Sequence, residues 1–130
     1  MQRKRFLLYI AQFPFFSVIA SALGIIQPMK RYFLNQFSIA GFQYYEGVSL
    51  IAEMKKGDSL KLINDYENEH DYYAVRIKYK NKMVGYVPRS DNRHLYRMLK
   101  QELNLHCEIL EVHPHEDAWH MCKVKVELIG

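Results

Sequence analysis

Apolar and polar residues alternate in several short runs along this chain. Leu60 and Leu62 alternate with Lys61 and Ile63, and Val75, Ile77 and Tyr79 alternate with Arg76 and Lys78. A period of two sends successive side chains to opposite faces of a sheet, so strands are predicted over 59–65 and 74–79. Lys80-Asn81 then turns the chain into a run over 82–87, and the two runs read as a hairpin. Gly85 inside that second run predicts a bulge or a close backbone approach. Residues 37–43, apolar and aromatic, read as a further strand, followed by a turn over 44–47. Residues 48–54 suit a strand or a short helix, and Lys56-Gly57-Asp58 is a turn signal. Residues 105–112 and 119–128 form a second predicted hairpin around 113–117. The period changes at Leu95, Met98, Leu99 and Leu103, whose helical spacing predicts a helix over 92–103. Pro88 closes the strand before it, and Ser90 or Asp91 can cap it by accepting an orphan backbone N–H. Five or six short strands and one helix predict a mainly β (α+β) fold, a small antiparallel barrel with a helical insertion.

The first fifth of the chain follows no such period. Arg3-Lys4-Arg5 precedes a run from Phe6 to Ile26 that is apolar on every face, whereas a surface helix carries a polar stripe. A charged start, an apolar run and Ala20-x-Ala22 make up the secretory pattern. Counted to Ile26, the same run is also long enough for one spanning helix, with Arg3–Arg5 on the cytoplasmic side. Residues 1–27 are therefore predicted to be a signal peptide or an N-terminal membrane anchor. Residues 28–36 read as a linker and 37–130 as the folded domain.

Composition narrows the class. Among 130 residues, 49% are hydrophobic and 25% charged, which is ordinary globular usage. Two Cys exclude a disulfide-dense scaffold. The six Gly never fall in a phosphate-cradling array, which argues against a Walker-type or Rossmann enzyme. The net charge of +4 suggests nucleic acid, but residues 1–34 carry +5 and residues 35–130 sum to −1. The folded part therefore has no bulk attraction for phosphates, and any nucleic acid must be held by a few placed side chains.

Four segments, read in order, resemble the HIRAN domain. They are Ile39-Ala40-Gly41-Phe42-Gln43-Tyr44-Tyr45-Glu46-Gly47, Gly57-Asp58-Ser59-Leu60-Lys61-Leu62, Asn68-Glu69-His70-Asp71-Tyr72-Tyr73-Ala74-Val75 and Val84-Gly85-Tyr86-Val87-Pro88-Arg89. The resemblance covers about residues 38–112. It implies an OB-like barrel without catalysis that recognises DNA ends, the best-understood members of the family holding the 3′ end of single-stranded DNA. Such domains stand alone in bacteria or front fork-remodelling, helicase-like proteins of DNA repair. Carried over by that resemblance, Tyr44 and Tyr45 would stack on bases, Asp71 would take the terminal hydroxyl and Arg89 a phosphate. His70 stands where the DNA-end-binding members have an aromatic residue, and Gln43 where they have an arginine.

The residues support such a pocket on their own chemistry. Exposed aromatic faces stack on unpaired bases. A carboxylate such as Asp71 accepts from a sugar hydroxyl and repels a phosphate in the same place. A guanidinium such as Arg89 pairs with phosphate bidentately. Each has a structural alternative. Asn68 and Asp71 also suit Asx-type bonds that shape their loop, one of the two tyrosines suits a core ring, and Arg89 suits a solvated charge beside a helix.

His113, His115, Asp117 and His120 lie close in the second hairpin, but their spacing matches no standard metal site, and neither metal nor cofactor is expected. Cys107 and Cys122 could form a disulfide if the hairpin set them opposite one another, and otherwise read as small buried hydrophobes. A DNA-end reader belongs in the cytoplasm, whereas residues 6–26 ask for export or membrane association. The rival expectation is accordingly an exported or anchored domain of the same fold that binds an envelope ligand or a protein.

Overall fold

The computed structural model describes residues 29–130. The signal peptide or anchor predicted over 1–27 lies outside the described residues. Six antiparallel strands form one sheet: β1 (Arg31–Ser38), β2 (Ser59–Asn64), β3 (Val75–Tyr79), β4 (Lys82–Tyr86), β5 (Leu105–Val112) and β6 (Cys122–Ile129). Their order across the sheet is β1-β6-β5-β2-β3-β4. β2 serves both halves, pairing through Leu60 with Cys107 of β5 and through Leu62 with Ile77 of β3. The sheet is drawn round on itself just after β1. There Ala40 N–H donates to the Tyr86 carbonyl and Tyr86 N–H to the Ala40 carbonyl, both at 2.9 Å. That bridge joins the segment leaving the first strand of the order to β4, the last.

The inward set is the one the alternation predicts on β3, where Val75, Ile77 and Tyr79 are buried. β6 repeats the pattern with Cys122, Val124 and Val126, and Ile39, Phe42, Val84, Leu95 and Ile109 fill the space between. Gly85 has φ +150°, and a β-carbon there would stand 2.4 Å from both the Ala40 carbonyl oxygen and Ile39 Cγ2. Only glycine lets the closing segment approach β4 this closely. The β3–β4 ladder also shifts register between Ile77 and Lys78, the irregularity that Gly85 predicts.

Several element boundaries fall elsewhere than the sequence suggests. The strand expected over 37–43 is instead β1, Arg31–Ser38, so most of the stretch read as a linker is strand. Gly41, at φ +70°, ends the extended run and starts a short 3-10 helix, Phe42–Tyr44, which turns the Phe42 ring into the core. Of the strand or short helix expected over 48–54, it is the helix that forms, α1, Gly47–Leu50, packed against that ring. The main helix α2 spans Arg89–Lys100, beginning three residues early. Pro88, whose φ of −56° and ψ of 147° suit a residue flanking a helix, is its N-cap; Ser90 and Asp91 lie inside the first turn rather than capping it. Trp119 belongs to a 3-10 helix, Ala118–His120, and β6 starts after it.

Candidate nucleic-acid interface

The segment 65–74 is a polar loop whose shape is set by its own side chains. Asn68 Oδ1 accepts from the backbone N–H groups of His70 (2.9 Å) and Asp71 (3.0 Å). Asp71 Oδ1 accepts from Tyr73 N–H at 3.0 Å, and its Oδ2 accepts from Asn92 Nδ2 of α2 at 2.8 Å. These Asx-type bonds fold the loop over the start of α2. Below it, Asp65 is buried and takes two donors, Arg76 Nη2 at 2.8 Å and the Tyr86 hydroxyl at 2.7 Å. The Arg76 bond holds the Asp65 carboxyl below its ordinary range despite its burial. Burial and the bond to Asp65 push the Tyr86 hydroxyl up to about 12.

Arg89, the first residue of α2, lies between two depressions. Its guanidinium is mostly exposed, donates through Nη2 to the His70 carbonyl at 2.8 Å and keeps Nε 3.7 Å from Asp71 Oδ2. A hollow of 230 Å³ on one side is lined by Asn68, His70, Asp71, Tyr86 and Arg89. A larger groove of 660 Å³ on the other is lined by Gln43, Tyr44, Arg89, Asp91, Trp119 and His120, among others. Ala40, at the closing bridge, borders both. The Tyr44 ring is 78% exposed and the Trp119 ring 73%, so two flat apolar faces stand in one groove. Asp91 in that groove accepts from Asn35 Nδ2 at 3.0 Å and from the Ser90 hydroxyl at 2.9 Å. Its charge disfavours anions at that end and leaves Arg89 as the position for them.

The structure thus gathers five of the six residues singled out in the sequence into two adjoining depressions. Gln43, Tyr44 and Arg89 line the groove, and His70 and Asp71 line the hollow with Arg89. Tyr45 lines neither; its ring meets that of Tyr86 edge-on at 5.8 Å beside the hollow. Neither tyrosine is the core ring that the structural alternative foresaw, since both are exposed. Trp119 and His120 were not expected at the site. The one signal for Trp119 is a lone tryptophan amid His115, Glu116, Asp117 and His120, a poor place for a core residue.

The second hairpin holds neither a disulfide nor a converging ligand set. Cys107 is opposite Val126 and Cys122 opposite Val112, so the ladder does not set the two cysteines against one another. Both are free and buried, and burial pushes both thiols up, that of Cys122 to about 12. His113 Nε2 lies 3.0 Å from Glu111 Oε1, and among the described residues no three His, Cys, Asp or Glu side chains converge as metal ligands.

Comparison with known proteins gives a family and a fold. The family model of the HIRAN domain matches residues 32–129. The fold is similar to that of a crystal structure of a protein from Lactobacillus plantarum, with a TM-score of 0.68 and 14% identity, over 78% of this chain and 98% of that one. It is also similar to the HIRAN domain of human HLTF, with a TM-score of 0.59 and 15% identity, over 77% of this chain and 79% of that one. No curated protein is detectably similar to the chain in sequence.

Proposed function

This chain belongs to the HIRAN domain family, and from that premise we propose that it is a non-enzymatic module that binds single-stranded DNA by a free 3′ end. The observation that carries the reading is the position of Arg89. One guanidinium borders both the groove holding the exposed Tyr44 ring and the hollow holding the Asp71 carboxylate. A 3′-terminal nucleotide carries three groups on one sugar that suit these side chains: a flat base, a 5′ phosphate and a 3′-hydroxyl. Tyr44 stacks on the base, with Trp119 on the same groove wall. Arg89 pairs with the phosphate, and the His70 carbonyl fixes its orientation. Asp71 accepts from the 3′-hydroxyl on a lone pair left free by Asn92 and Tyr73. Gln43 and His70 border the bound nucleotide. Tyr45 packs edge-on against Tyr86.

A carboxylate at the terminus penalises a phosphate there by like-charge repulsion. Fluorescence anisotropy with two oligonucleotides that differ only at the 3′ terminus tests this. The 3′-hydroxyl form is expected to bind at least fivefold tighter, and equal binding of the 3′-phosphate form overturns the role of Asp71. Tyr44→Ala is expected to weaken binding by about 1–3 kcal/mol, the worth of one stacked base.

The apolar run over 6–26 would tether the barrel to a membrane or export it. The mass of the native N-terminus separates the two. An intact terminus keeps the DNA reading with a tethered barrel, whereas a chain starting at Leu23 favours an envelope ligand for the same groove.

A further inference from the structure

The helix that begins at Arg89 carries three more cations in line with it. Arg89, Arg93, Arg97 and Lys100 recur at intervals of four, four and three residues. At 3.6 residues per turn they fall within an arc of about 80° and climb about 16 Å along the axis. Arg93, Arg97 and Lys100 are exposed, and among the described residues none pairs with an acid. The acid of the helix, Asp91, points to its far side, as its bond to Asn35 shows. The buried Leu95 and Asn92 occupy a third direction.

Aromatic rings flank this stripe. The Arg93 and Arg97 guanidiniums lie 4.8 and 5.6 Å from the centre of the Tyr73 ring. Tyr72 packs edge-on against Tyr73 at 5.0 Å, and Tyr66 against Tyr96 at 5.9 Å. Yet Tyr72 and Tyr66 remain 68% and 67% exposed. Two large rings left in solvent beside unpaired cations are what an unpaired strand requires: charges for its backbone and flat faces for its bases. The same loop that carries Tyr66 and Tyr72 also carries Asp71, so the track and the end pocket are parts of one surface.

We infer that Arg93, Arg97 and Lys100, with Tyr72 and Tyr66 alongside, form a track for the single strand leading up to the 3′ terminus held at Arg89. This rests on the end-binding reading, and adds to it a binding length of several nucleotides and a path along α2. The four-residue interval advances about 6 Å, close to one step of an extended nucleotide backbone, so successive cations meet successive phosphates. A protein docked on the stripe would need acidic side chains in the same spacing, and nothing in that account explains why the stripe starts in the end pocket.

The experiment compares a dinucleotide and a twelve-nucleotide oligothymidine, both with free 3′-hydroxyls, on the full chain. The wild type is expected to bind the longer strand about tenfold tighter. Arg93→Gln with Arg97→Gln should leave the dinucleotide within twofold and bring the longer strand close to it. The salt slope for the longer strand should flatten by about 1.4, at about 0.7 for each phosphate no longer held by a cation. Lys100→Glu, which disturbs no ring, should remove part of the same gain, so a loss of helix packing in the double variant would not leave the outcome open. Lys55→Gln with Lys56→Gln, in another loop, should change neither ligand. Equal affinity of the wild type for both lengths, wild-type length dependence in the double variant, or an equal loss in the Lys55 and Lys56 control would each overturn the track. Equal binding of 3′-hydroxyl and 3′-phosphate ends with length dependence intact would instead remove the end pocket and leave the track.

Discussion

Tyr86 joins the structural core to the candidate site. Its hydroxyl donates to the buried Asp65, its ring supports Tyr45 and borders the hollow, and its backbone closes the barrel at Ala40. Its ionisation is pushed from 10.0 to about 12, chiefly by burial and then by Asp65. A folded-state value above the unfolded one means that the neutral hydroxyl stabilises the fold. That contribution is complete below pH 10 and is lost as pH rises from 10 to about 12. Urea midpoints are therefore expected to fall across that window, and to fall less in Tyr86→Phe. Tyr79 and Tyr96 shift in the same direction, so it is the difference between the two proteins that reports Tyr86. An equal fall in both would assign the effect to the other tyrosines. Asp65 acts at the other end of the scale. Arg76 lowers its carboxyl below 3.8, so its contribution is present above that value and lost on further acidification.

Among the elements, the β3–β4 hairpin was the most legible, because its alternation and its turn are both local. Lys80 and Asn81 have φ of 47° and 67°, both in the left-handed region, which is the type I′ geometry that suits a two-residue hairpin. Asparagine tolerates that region and glycine adopts it freely. Asn81→Gly is expected to raise stability by about 0.5–1 kcal/mol, set by relief of left-handed strain against the entropy glycine adds to the unfolded chain. Denaturant unfolding measures it, and a loss of stability would show that the turn carries no such strain. β1 was illegible for an equally physical reason. Its ladder with β6 shifts register between Phe33 and Asn35, so its inward residues Leu34 and Phe37 stand three apart, whereas Ile39 just beyond the strand follows two later. Tyr32 and Phe33, which look like core residues, are left exposed. Helix α2 was legible from its apolar face but was placed three residues late, because its first turn carries Arg89, Ser90 and Asp91 and no apolar residue except through Pro88.

At the scale of the molecule, charge sets the kind of DNA binding to expect. Residues 35–130 sum to −1, so the domain attracts phosphates only where cations are concentrated. A ligand that fills the Arg89 pocket alone should engage only one or two phosphates. Its affinity should then fall about three- to sevenfold between 50 and 200 mM salt, from about −0.7 per phosphate for single strands. Titration at several salt concentrations checks this, and a slope several times steeper would mean that a general basic surface, rather than a placed guanidinium, does the binding.

The sequence alone determined whatever depends on neighbours along the chain: the paired runs of β3 and β4, the need for glycine at 85, the loop-shaping Asn68 and Asp71, the near-zero charge of the barrel, and the segments by which it resembles its family. Only the tertiary structure decided which distant residues share a surface. Closure at Ala40 and Tyr86 brings Tyr44 and Trp119 into one groove, leaves Tyr45 outside it, and sets Arg89 where two depressions meet. A periodic pattern reports which way a side chain points from its own element, whereas the company it keeps is fixed by how the sheet curls and where its edges join.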